Sequence, residues 1–103
     1  MAGPQLSSYG ALVLKRDVPL GYVQLDDFDT AAGLGTIPAG TRWALIECEG
    51  QPVRWTDDGV NPSVTFGHLL FPGDTLPYNG SDLTAFKAIE TSAGAILNVS
   101  FYG

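Results

Sequence analysis

The chain has 103 residues, 45% of them hydrophobic and only 16% charged, with 11 acidic against 5 basic side chains and a net charge of −6. One domain of this length can build a core without cross-links, and a single cysteine, Cys48, excludes both an intramolecular disulfide and a cysteine metal cage. The few basic residues are scattered and the balance is acidic, so nucleic acid and anionic membrane are not expected as partners, and no apolar run approaches the ~18 residues of a membrane span.

So few charges leave a neutral surface of the kind that contacts other proteins, copies of the same chain included. The N-terminus has neither the basic region nor the apolar stretch of a secretory signal, and the expectation is synthesis in a reducing cytoplasm. Residues 1–10 carry Gly, Pro, Gln and Ser, with Leu6 and Tyr9 as the only large apolar anchors after the first methionine. They are predicted to be an extended arm that places Leu6 and Tyr9 against a neighbour, and residues 11–103 to be a single folded domain.

Ala11-Leu12-Val13-Leu14 is a short apolar run ended by Lys15-Arg16-Asp17. Residues 18–25 can form a strand, and Pro19, which has no N–H to donate, places it at an edge or a bend. Asp26-Asp27-Phe28-Asp29-Thr30 is an acidic loop, and Pro38-Ala39-Gly40 a turn. Residues 41–49 alternate as a long strand, with Ala44, Ile46 and Cys48 on one face and Trp43 and Leu45 on the other.

Val53 and Trp55 alternate with Arg54 and Thr56 in the next strand, and Asp57-Asp58-Gly59 reads as a tight reversal. A returning strand over residues 63–70 would turn Val64 and Phe66 inward before Pro72-Gly73-Asp74 reverses the chain again. Asn79-Gly80 is the strongest local hairpin signal. Residues 83–90 favour strand over helix because the window is short and uncapped. Residues 95–102 close the chain, with Leu97, Val99 and Phe101 inward and Tyr102 outward, which makes Tyr102 a candidate contact residue beside Leu6 and Tyr9. Seven to eight short strands between turns predict an all-β fold, a small sandwich or barrel. Its expected core is Ala44, Ile46, Val53, Trp55, Val64, Phe66, Leu97, Val99 and Phe101.

Chemistry-bearing clusters are sparse. His68 is the only histidine, so a two-histidine metal site cannot be assembled. Cys48 and His68 both fall inside predicted strands, with no Asp or Asn placed to orient an imidazole, and they are read as structural. Asp26, Asp27 and Asp29 lack the glycine and terminal glutamate of a calcium loop and are read as solvated. No catalytic, cofactor-binding or metal-binding residue is assigned, no cofactor is implied, and the chain is not expected to be an enzyme.

Pro38-Ala39-Gly40, Gln51-Pro52-Val53-Arg54-Trp55-Thr56-Asp57-Asp58-Gly59 and Pro72-Gly73-Asp74, with Asn79-Gly80 and Leu97-Asn98-Val99-Ser100-Phe101-Tyr102, resemble small structural proteins of tailed bacteriophages. Over residues 37–102 the resemblance implies a jelly-roll-like β-sandwich in the virion. It implies a decoration or cement protein of the phage head, made in the bacterial host cytoplasm, with copies of itself and the major capsid protein as partners. The alternative is a receptor- or carbohydrate-binding sandwich, associated with tail or head fibres, whose exposed rings stack on sugars.

Overall fold

The computed structural model describes residues 17–103, so Leu6, Tyr9 and the run at residues 11–14 lie outside the described residues. Seven strands appear in chain order: β1 (Pro19–Leu25), β2 (Trp43–Glu49), β3 (Val53–Thr56), β4 (His68–Leu70), β5 (Thr75–Tyr78), β6 (Lys87–Glu90) and β7 (Ile96–Tyr102). A single 3-10 turn, Leu83–Ala85, precedes β6. Two antiparallel sheets result, one in the order β1-β7-β2-β5 and the other β4-β3-β6.

The pairing is nested. β1 pairs with β7, β2 with β5, and β3 with β4. That pattern arises when one long antiparallel hairpin, closing at the β3–β4 loop, is rolled upon itself. The remaining rung lies between the β1–β2 connection and β6, and it survives as one bridge. Ala32 and Ala88 exchange N–H to carbonyl bonds of 2.9 and 2.8 Å, and the Glu90 N–H reaches the Phe28 carbonyl at 3.1 Å. This is a jelly roll whose second strand is pared to its pairing minimum. The local sequence explains the loss: Ala31-Ala32-Gly33-Leu34-Gly35 offers no β-branched residue and few side chains to pack on a pleated surface.

Alternation in β2 and β7 builds the inner face of the larger sheet. Leu25, Leu97 and Cys48 form one cross-strand row, and Val23, Val99, Ile46 and Leu76 form the next. The third row sets Gly21, Phe101, Ala44 and Tyr78 side by side, so the large Phe101 ring sits between two of the smallest residues. Large beside small is how a row of fixed spacing is filled without voids. Phe101 is 1% exposed and Ala44, Ile46, Cys48, Leu97 and Val99 are fully buried. From the smaller sheet Val53, Leu70 and Ala88 meet this surface, joined by Phe28, Leu34 and Phe86 from the connections.

Several sequence expectations change. The strand expected over residues 63–70 is reduced to His68–Leu70, because Ser63 and Phe66 bond each other's backbone and make a separate turn. Val64 and Phe66, expected in the core, are 53% and 56% exposed. Trp55 is half-buried. Asp57-Asp58-Gly59 opens an eleven-residue excursion over residues 57–67 instead of a tight reversal. Asn79-Gly80 is no hairpin turn, since β5 and β6 belong to different sheets and Gly80 has no positive φ. Residues 83–90 divide into the 3-10 turn and β6, because the Asp82 side chain caps the turn by accepting from the Thr84 N–H. Tyr102 is half-buried and stacks on Trp43, with centroids 4.6 Å apart.

Two glycines with nearly the same backbone separate strain from collision. Gly50 (φ 83°) ends β2, and a Cβ there would land on the Gly94 carbonyl oxygen, whereas Gly59 (φ 84°) faces open space. Gly59→Ala should cost about 1–2 kcal/mol, the left-handed strain of a side chain. Gly50→Ala should lose about 1–3 kcal/mol more from forced overpacking. Urea unfolding of the two variants measures the difference.

Candidate binding surface

Arg54 organises the β3–β4 excursion. It lies on the outer face of the smaller sheet, between Leu69 and Ile89 in register. Its Nε donates to the Val64 carbonyl at 3.1 Å and its Nη1 to the Gly67 carbonyl at 2.7 Å. A guanidinium presents donors in a rigid fork, so one side chain fixes two points of the loop. Gly67 permits the approach, since a Cβ there would stand 3.0 Å from the Trp55 carbonyl oxygen and 3.3 Å from Arg54 Cβ.

Local bonds shape the rest of the loop. Asp58 Oδ1 accepts from the Val60 N–H at 3.1 Å, and the Thr56 hydroxyl donates to the Val60 carbonyl. The Gly59 N–H reaches the Ala85 carbonyl at 3.2 Å, which ties the loop to the 3-10 turn. Pro62 is buried beneath. Val60, Val64 and Phe66 therefore stand outward on an ordered loop, and Leu69 and Phe71 continue the series along β4, an edge of its sheet. Among the described residues seven large hydrophobics are exposed, and five of them fall in this twelve-residue stretch.

An aromatic group supports the same end. Trp55 stacks on Phe86 at 5.3 Å, His68 lies tilted against it at 4.6 Å, and Tyr78 meets Trp55 edge-on at 6.1 Å. The Tyr78 hydroxyl donates to Asp57 Oδ2 at 3.1 Å. Burial first, then that hydrogen bond and the charges of Asp57 and Asp82, push the Tyr78 phenol above its ordinary value. Asp82 is held below the usual carboxylate range by donors from the Thr84 hydroxyl and N–H. Thr56, Asp57, Asp58, Phe66, Gly67 and His68 line a cleft of about 280 Å³ here. A second groove of about 470 Å³ runs past Arg42, Trp43, Pro77 and Asn79, beside the exposed 3.2 Å pair of Arg42 with Asp17.

Cys48 and His68 are not brought together. Cys48 is fully buried in the larger sheet, where its thiol donates to the Gln51 carbonyl at 3.2 Å. His68 is exposed on the smaller sheet, its ring tilted against Trp55. Asp26, Asp27 and Asp29 are all exposed, and no group of three His, Cys, Asp or Glu among the described residues is arranged to hold a metal ion. Of the three expected contact residues, Tyr102 lies against Trp43 beside the second groove, and Leu6 and Tyr9 are outside the described residues. The apolar strip was not anticipated, although Asn61-Pro62 carried a signal, because proline interrupts a central strand. No protein-family model, curated protein or solved structure matches the chain.

Two measurements test this geometry. Arg54→Met should release the Val64 and Gly67 carbonyls, so amides across residues 57–67 should exchange faster by roughly tenfold or more while those of β2 and β7 keep their protection. For Cys48, burial and then the Asp74 charge push the thiol up from 9.0 to about 11, with the Val53 backbone opposing. Above pH 9 the unfolded chain releases this proton more readily than the folded one, so folding stability should fall as pH rises from 9 towards 11. Cys48→Ala should remove that part of the slope in denaturation measured across the same range.

Proposed function

We propose that the chain is a structural docking module, a decoration or cement protein that sits on the head of a tailed bacteriophage and binds the major capsid protein. The observation that carries the reading is that Val60, Val64, Phe66, Leu69 and Phe71 are all exposed within one twelve-residue stretch, the apolar strip of the β3–β4 region. Exposed apolar side chains concentrated in one ordered stretch, and not scattered singly along the chain, favour a surface that another macromolecule covers. The neutral composition and the resemblance carried by Arg54-Trp55-Thr56-Asp57-Asp58-Gly59 support the same reading.

The energetics fit a repeated contact. Each strip side chain is already about half covered, so covering the rest contributes about 1 kcal/mol. Association opposes that with about 4–15 kcal/mol of lost translational and rotational freedom. One strip therefore holds a partner weakly, while copies that also touch one another add their contacts on a lattice. A sandwich seated across a junction between capsid subunits adds area that must be exposed before they part, which is how a cement protein resists internal pressure.

The reading as a sugar-binding module has less behind it. Sugar stacking needs a free aromatic face, and Trp43 and Tyr102 each cover one face of the other, at an interplanar angle of 17°.

The test is co-sedimentation with expanded heads that lack the protein. Phe66→Ser combined with Leu69→Ser should lower affinity by roughly tenfold or more and leave the circular dichroism unchanged, because both side chains are exposed. Undiminished attachment of the double variant would remove the strip from the contact. Binding of the wild-type chain to bacterial surface glycan, with none to heads, would overturn the reading.

A further inference from the structure

A β-sandwich that leaves a sheet edge open must account for it, since unpaired N–H and carbonyl groups template pairing with another chain. Here three of the four edges are managed. β4 is three residues long, β5 carries Pro77, which has no N–H, and β6 is covered where Ala32 and the Phe28 carbonyl bond it. β1 is different. It runs seven residues, pairs among the described residues only with β7, has its one proline, Pro19, at its first position, and contains no charged side chain. Its register is irregular only between Pro19 and Gly21; Gly21 to Leu25 are regularly paired with β7, and no described strand pairs with their other side.

Two further observations converge on the same edge. Of the large exposed hydrophobics among the described residues, the two outside the β3–β4 strip are Val18 and Tyr22, one just before β1 and one at its centre. The charges flanking β1 in sequence are opposite: Lys15-Arg16 precede it, with Asp17 paired to Arg42, and Asp26, Asp27 and Asp29 follow it. A parallel approach of two such strands sets like charges together, whereas an antiparallel approach sets basic against acidic at both ends. For a chain of net charge −6, which repels its own copies, that complementarity selects one partner and one orientation.

We propose that β1 is a self-association edge: β1 of one copy pairs antiparallel with β1 of a second copy across a two-fold axis near Tyr22, joining the two four-stranded sheets into one of eight strands. The interface is isologous, with the same edge used by both copies, so it closes and does not propagate. It leaves the Val60–Phe71 strip free on both sandwiches. The inference deepens the self-assembly within the proposed function, but it stands on β1 alone and is tested without shells, so a failure of shell docking leaves it intact.

The experiment uses the full chain in free solution. Sedimentation equilibrium at tens of micromolar should report a dimer for the wild type. Tyr22→Lys puts like charges opposite each other at the axis and should yield a monomer with unchanged circular dichroism, since Tyr22 is 58% exposed. In the second arm, Tyr22→Cys supplies an accessible thiol, Cys48 being buried. Directly opposed residues in an antiparallel pair lie about 4.5–5.5 Å apart at Cα, within disulfide range. Oxidation should therefore trap the Tyr22→Cys dimer much faster than it does a Ser92→Cys control, whose residue is exposed in the β6–β7 turn. A monomeric wild type, a Tyr22→Lys variant that stays dimeric, or cross-linking no faster than the control would each overturn the proposal.

Discussion

Three rings hold the two sheets in register at one end of the sandwich. Trp55 comes from the smaller sheet, Tyr78 from the larger, and Phe86 from the connection between them, with Phe86 5.3 Å from each of the other two. Offset and edge-on contacts of this kind add about 0.5–1.5 kcal/mol per pair beyond simple burial. Position matters more than that increment. Tyr78 anchors Asp57, where the β3–β4 excursion begins, and Ala85, next to Phe86, receives the Gly59 N–H. The loop that carries the exposed apolar residues is thus hung from the same rings that close the core.

Two of the chain's five cations serve the backbone and one ion pair rather than an acidic surface. Arg54 binds neutral carbonyls, and Arg42 pairs with Asp17. With most of the 11 carboxylates left in water, electrostatics gives solubility, and adhesion falls to apolar and backbone groups. The outer face of the larger sheet follows the same plan. Tyr22 and Gln24 both donate to Asn98 Oδ1, a neutral hydrogen-bonded patch in place of charges. One polar group departs from it: Glu90 lies 7% exposed opposite Val53, its Oε1 without a partner among the described residues.

Most of the fold was legible because alternation is a local property that survives in the structure wherever a strand is central. β2 and β7 are flanked on both sides or packed over their whole length, so Ala44, Ile46, Leu97 and Val99 lie where their period of two places them. The same reasoning failed at Val64 and Phe66. Their alternation is genuine, but Arg54 draws the Val64 and Gly67 carbonyls away from any ladder, and no local pattern reveals which distant side chain will claim a carbonyl. Asn79-Gly80 failed for a related reason. A hairpin signal assumes that both flanking strands share a sheet, and here the chain crosses from one sheet to the other. The candidate surface was the least legible part, because it is made of residues whose type predicts burial.

The nested pairing has a consequence for the birth of the molecule. β1, the first described strand, has a single neighbour, β7, and Pro19 lies opposite Tyr102. During synthesis β1 emerges well before β7 and must wait, its apolar Leu20, Val23 and Leu25 uncovered, until β7 follows it out. Contacts so distant along the chain make folding slow and lengthen the interval in which such a segment can meet a wrong partner. The closing step is the zipping of β7 between β1 and β2, so the larger sheet forms as one event late in folding and not strand by strand in chain order.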